Sequence, residues 1–248
     1  MIESFDYEKH FDLCPTCGSS YSYATCKRED WKNETCNCYE QNKLWKEYTF
    51  SGIPNDYFSK DISDYEFKTD ATGDKYYNDI LKYCKYLHQV LLSGSCLFLH
   101  NELTSTGKTF FAISILKEAY RLDYSIQFLP FLKIQNELLS NRDVEKFLKN
   151  ANKKDFLVID SVDREIKKDF LSDIKVLNFF EEFLKNRFKP IIFTSSSPLN
   201  NTNLHLLNVI KSVLKSRIYE IFIDSPRQYL DHHNYWNNIV DSKRERLK

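Results

Sequence analysis

Residues 96–109, Cys96-Leu-Phe-Leu-His-Asn-Glu-Leu-Thr-Ser-Thr-Gly-Lys-Thr109, constrain the fold more than any other stretch. An apolar run of strand length leads into a polar loop, and Gly107-Lys108-Thr109 then opens a helix. Those residue types in that order form the end of a phosphate-binding loop. Gly107 lets the backbone approach phosphates, Lys108 reaches the β- and γ-phosphates, and Thr109 offers a hydroxyl to Mg²⁺. The free N–H groups at the helix start cradle the anion. The candidate nucleotide-binding residues are therefore Glu102, Leu103, Thr104, Ser105, Thr106, Gly107, Lys108 and Thr109, with ATP and Mg²⁺ as expected ligands. The pattern G-x-x-x-x-G-K-[ST] carries Glu102 where its first glycine belongs, which sets a carboxylate close to a polyanion.

The rest of the chain alternates in the same way. Helical spacing of apolar residues predicts a helix over 75–92 that Gly94 stops. Strands are expected at 96–100, 125–129, 155–160, 190–194 and 219–223. Helices are expected between them at 108–121, 130–150, 169–187 and 203–216. Short, nearly continuous apolar strands alternating with helices imply an α/β fold, a five-stranded parallel sheet covered on both faces in three layers. Ligands of such sheets sit at the carboxyl ends of the strands.

Asp155-Phe-Leu-Val-Ile-Asp160 ends one of those strands in a carboxylate. Asp160 has the character of a Walker B residue, which holds Mg²⁺ beside Thr109. A site that hydrolyses ATP wants a second carboxylate next to it; here that neighbour is Ser161, with Asp163 two residues further on. A strand and a helix intervene between the loop and Asp160, as in ATPases with an additional strand between the two motifs.

Five of the seven cysteines precede position 39. Cys14-Pro-Thr-Cys17 and Cys36-Asn-Cys38 are two closely spaced pairs able to place four thiolates around one Zn²⁺. Cys26 is a fifth candidate, and reduced thiols are the alternative. A four-thiolate site has no open position and is read as structural. A segment this short would need the metal to fold. The 35 basic and 35 acidic residues cancel, so no overall field points to nucleic acid or membrane. No run of about 18 apolar residues suggests a membrane span. No signal peptide is visible at the amino terminus, and a cytoplasmic location is the expectation.

Taken together, these residues resemble the DnaC/DnaI-type helicase loaders and the IstB-like transposition ATPases, which are AAA+ proteins. The resemblance runs over most of residues 12–225. Ser51-Gly-Ile-Pro54 is similar to the entry into the ATPase domain, and the four cysteines to a zinc-bearing amino-terminal segment. Thr194-Ser195-Ser196 is similar to the sensor-1 strand end, with Ser196 in place of Asn. Val213-Leu-Lys-Ser-Arg217-Ile is similar to the box whose Arg is a finger offered to a neighbouring subunit; the earlier Arg of that box is Val213.

The resemblance implies a zinc-binding segment over 1–46 that docks on the helicase, a linker over 47–75, an AAA+ domain over 76–225 and a tail over 226–248. It implies Lys108, Asp160 and Arg217 as catalytic residues and Ser196 as a nucleotide contact. The implied partners are the replicative DNA helicase, single-stranded DNA and further copies of the chain in an ATP-dependent open ring or spiral. The alterations at Glu102, Ser161, Ser196 and Val213 weigh against fast hydrolysis. The rival expectations are a catalytically inactive adaptor that occupies the helicase or its resident loader, and a transposition helper that assembles on duplex DNA.

Overall fold

The computed structural model describes residues 38–64, 73–103, 106–139, 144–163, 170–201 and 203–224. Cys14, Cys17, Cys26 and Cys36 lie outside the described residues, as do Thr104, Ser105 and the tail from 225. The chain divides into two compact units, Met1–Lys60 and Asp61–Lys248.

In the first unit, helix α1 spans Cys38–Phe50. Trp45 and Tyr48, three residues apart, share one face and are buried. Their rings meet Phe58 at 6.2 and 5.8 Å between centroids. Ile53 is buried as well and its N–H donates to the Tyr48 carbonyl at 3.0 Å, before a 3₁₀ turn at Asn55–Tyr57 leads to Phe58. The helix therefore runs through position 46, where the sequence suggests a boundary.

In the second unit, helices α2 (Gly73–Lys85) and α3 (Leu87–Ser93) precede strand β1 (Cys96–His100). The single helix expected over 75–92 is thus interrupted at Tyr86. Then follow α4 (Lys108–Arg121), β2 (Ile126–Pro130), α5 (Phe131–Leu139), α6 (Val144–Lys153) and β3 (Phe156–Asp160). Next come α7 (Phe170–Asn186), β4 (Ile191–Ser195), α8 (His205–Leu214), a 3₁₀ turn at Lys215–Arg217 and β5 (Ile218–Phe222). The helix expected over 130–150 is two helices.

All strand pairs are parallel, in the order β2-β3-β4-β1-β5. Strand β4 stands between β1, which leads into the phosphate loop, and β3, which ends in Asp160. One face of the sheet is covered by α5, α7 and α8, where Phe98, Leu157, Ile159 and Phe193 pack with Phe131, Phe180, Leu207 and Ile210. The other face carries α4, buried continuously from Phe111 to Lys117 because α2 and the turn Ile62–Asp64 cover its outer side. The rings of Tyr76 and Tyr77 meet Phe111 edge-on.

Two buried cations hold this frame. Lys117 Nζ lies 3.0 Å from Asp61 Oδ1. Arg187 donates to the carbonyls of Ala151 and Asn152 at 3.0 and 3.3 Å, and to those of Lys154 and Pro190 at 3.0 and 3.2 Å. It thereby caps the end of α6 and ties it to the start of β4. Burial brings the Arg187 pKa down to about 10. Burial likewise pushes the thiol of half-buried Cys84, on α2, up to about 12. Among the described residues no helix is long and apolar enough to cross a membrane.

Candidate nucleotide-binding site

The carboxyl ends of β1, β4 and β3 bring the loop, Thr194 and Asp160 together. Gly107 is the N-cap of α4 with φ 91°, a left-handed conformation that favours glycine, and it adds no side chain at the helix start. Glu102, by contrast, is not among the described residues with positive φ, so its backbone does not demand glycine. Asn101 makes the turn instead. It is buried, its Oδ1 accepts from Leu103 N at 2.6 Å, and its Nδ2 donates to the Ile223 carbonyl beyond β5. Glu102 and Leu103 are exposed.

Lys108 folds back into the loop. Its Nζ donates to the carbonyls of Asn101 and Leu103 at 3.0 and 2.7 Å and to Thr106 Oγ1 at 3.2 Å. Burial lowers its proton affinity, while the carboxylates of Asp163 and then Asp160 hold it up. Phosphate oxygens are better acceptors for this ammonium than neutral carbonyls. Thr109 Oγ1 donates to Asp160 Oδ1 at 2.8 Å, so the two oxygens expected near Mg²⁺ are already adjacent. Together with the open start of α4, these residues fit an Mg²⁺–nucleotide. Among the described residues no cluster of three or more His, Cys, Asp or Glu side chains is suited to a metal ion. Of the zinc candidates only Cys38, which opens α1, is described.

Thr194, named at the sensor-1 strand end but not among the expected site residues, is the residue that holds Asp160. Buried at the end of β4, its Oγ1 donates to Asp160 Oδ1 at 2.7 Å and accepts from Ser161 N at 2.8 Å. Ser161 Oγ donates back to Asp160 Oδ2 at 3.2 Å. Ser196, expected as the contact on this strand end, engages through its backbone: its N–H donates to Asp163 Oδ2 at 2.8 Å. The signal available in the sequence was the place of Thr194 at the polar end of an otherwise apolar strand.

Arg217 stands elsewhere. It precedes β5, whose other end pairs with His100, so a strand of about 16 Å separates it from the loop edge of the sheet. Its guanidinium lies over the exposed Phe188 ring, 5.6 Å from the centroid, and its Nη1 donates to the Arg187 carbonyl at 3.3 Å. Val213 packs against the core formed under α7 and α8.

Beside β1, His100 Nε2 lies 3.2 Å from Glu220 Oε1. Burial lowers the His100 pKa more than Glu220 raises it, which favours a neutral imidazole near pH 7.

No protein-family model matches the sequence, and no curated protein matches it. Solved structures do. The DnaC helicase loader superposes with a TM-score of 0.54 at 17% identity, covering 69% of this chain and 100% of that one. DnaI gives 0.54 at 17% identity, covering 68% and 93%. The replication initiator DnaA, bound to AMPPCP and single-stranded DNA, gives 0.50 at 17% identity, covering 68% of this chain and half of DnaA. The chain therefore has the α/β fold of the DnaC helicase loader and DnaI.

Proposed function

We propose that the chain is an ATP-binding helicase loader that delivers or regulates the replicative DNA helicase. The observation that carries this is the Lys108–Thr109–Asp160–Thr194 arrangement at the carboxyl edge of a loader-type sheet. Lys108 exchanges its three loop acceptors for phosphate oxygens. The N–H groups opening α4 and the bare backbone of Gly107 receive the anion. Thr109 and Asp160 hold Mg²⁺, whose charge offsets that of the phosphates. Thr194 keeps Asp160 in place for that task.

Hydrolysis is slow on this reading, because the residue directly after Asp160 is Ser161, whose hydroxyl turns to Asp160, and not a carboxylate. ATP then acts mainly as an assembly ligand. Arg217, a strand's length from its own loop, serves the nucleotide of a neighbouring copy in an open ring or spiral. A guanidinium suits that role because it is always charged and forks onto phosphate oxygens. The segment bearing Cys14, Cys17, Cys36 and Cys38 binds one Zn²⁺ and docks on the helicase. Single-stranded DNA is the nucleic-acid partner.

The test has two arms. Fluorescent ATP should bind wild type and not Lys108→Ala, and the replicative helicase should co-purify with the full chain. Absence of either result would end this reading. The same Ser161 observation favours a second reading, an adaptor without any turnover. An ATPase assay with helicase and single-stranded DNA present separates the two, since the adaptor shows no phosphate release.

A further inference from the structure

We infer that Asp163 is the catalytic carboxylate of this site, taking the role that a residue directly after Asp160 would otherwise fill. The inference rests on the ATP-binding reading above and deepens it.

The path of the chain carries the argument. Ser161 has φ 60°, a left-handed conformation in a non-glycine residue. That residue turns the chain off the end of β3. Ser161 N then donates to Thr194 Oγ1, and Val162 N donates to the Thr194 carbonyl at 3.0 Å. Val162 is buried and anchors the turn in the core. The chain has by then crossed from the end of β3 onto the end of β4, and Ser196 N fixes Asp163 Oδ2 there at 2.8 Å. In the order β3-β4-β1 this moves a carboxylate one strand spacing, about 4.8 Å, toward the phosphate loop. The end of β4 also touches the loop entry directly, because Asn101 N donates to the Ser195 carbonyl at 3.4 Å. Asn101 in turn holds Lys108 through its own carbonyl.

The two oxygens of Asp163 are unlike. Oδ2 is fixed by the backbone of Ser196, whereas Oδ1 is buried and has no hydrogen-bond partner among the described residues. A buried carboxylate oxygen without a donor is costly, and such groups call for an explanation. An attacking water supplies that donor. The Asp163 carboxylate also holds up the proton affinity of Lys108, in keeping with its place at the end of β4 beside the loop entry.

In the step assigned here, a water hydrogen-bonded to Asp163 Oδ1 attacks the γ-phosphorus. The new P–O bond forms as the bond to the β–γ bridging oxygen breaks, and that electron pair leaves with ADP. The water's proton passes to Asp163 and from there to solvent.

Asp163→Asn keeps an oxygen for the Ser196 N–H and removes the base. It is expected to lower phosphate release about 10²-fold or more while binding AMPPCP as tightly as wild type or tighter. Binding of ADP with aluminium fluoride, which mimics the transferring phosphoryl group, should weaken at least tenfold, read by titration without turnover. Asp163→Glu, which keeps a carboxylate, should retain more turnover than Asp163→Asn. If Asp163→Asn fails to fold, Asp163→Ser is measured in the same way. Unchanged phosphate release and unchanged fluoride-complex binding would overturn the inference. So would a wild type that binds AMPPCP and releases no phosphate. A wild type that binds no nucleotide would instead overturn the ATP-binding reading, and this one with it.

Discussion

Thr194→Val tests the frame of the site. Valine has the shape of threonine without the hydroxyl, so no cavity opens and the effect reads hydrogen bonding alone. The Thr194 hydroxyl is buried and makes two bonds, one to Asp160 Oδ1 at 2.7 Å and one from Ser161 N at 2.8 Å. Losing the acceptor for Ser161 N costs about 1–3 kcal/mol. Losing a donor to Asp160 costs about 1.5 kcal/mol, at the low end for a charged group, because Thr109 and Ser161 still donate to that carboxylate. The sum is about 2.5–4.5 kcal/mol, which for a chain of this size lowers Tm by roughly 5–18 °C. Urea unfolding of wild type, Thr194→Val and Thr194→Ser measures it. Thr194→Ser keeps the hydroxyl and should stay within about 1 kcal/mol of wild type. Nucleotide binding by Thr194→Val should also need more Mg²⁺, since Asp160 is no longer fixed. A Thr194→Val protein as stable as wild type, or a Thr194→Ser protein equally damaged, would refute the bonding described here.

Glu102→Gln should tighten ATP binding only about two- to fivefold, because an exposed charge beside the phosphates is screened; a calorimetric titration reads this, and weaker binding would contradict it. Gly94→Ala should destabilise by about 2–5 kcal/mol, since φ is 63° and a Cβ would lie 2.0 Å from the Phe188 carbonyl oxygen; an unchanged melting curve would count against this close approach. For Asp61, burial works to raise the pKa, but the hydrogen bonds from Lys117 and Arg121 overcome it and hold the pKa below the usual carboxylate value. Its stabilising contribution is therefore complete above about pH 4 and lost as pH falls through its lower folded pKa. Asp61→Asn should be less stable than wild type at pH 7, by about 1–3 kcal/mol for a half-exposed partner of a buried lysine, and the gap should close below pH 3; a gap independent of pH would sink the assignment.

The layered sheet was legible because periodicity reports burial directly. Each of the five strands lies within one residue of where its apolar run places it. What periodicity cannot report is order in space. In sequence β2 comes between the loop and Asp160, yet β2 lies at the sheet edge and β4 stands between them. The break at Tyr86 was hidden because apolar spacing continues across it. Arg187 carries no sequence signal: nothing in a helix-to-strand connection marks an arginine that will cap another helix.

The four altered positions change meaning once they are placed. Glu102 sits where the backbone needs no glycine, because Asn101 makes the turn. Ser196 gives its N–H rather than its side chain, so loss of an Asn amide there removes little from Asp160, which Thr194 already holds. Val213 packs inward, so an apolar residue at that position serves the core. Ser161 alone changes the chemistry, and its left-handed conformation is what carries the chain to Asp163. Placed so, Glu102, Ser196 and Val213 leave the contacts among Asn101, Lys108, Thr109, Asp160 and Thr194 intact.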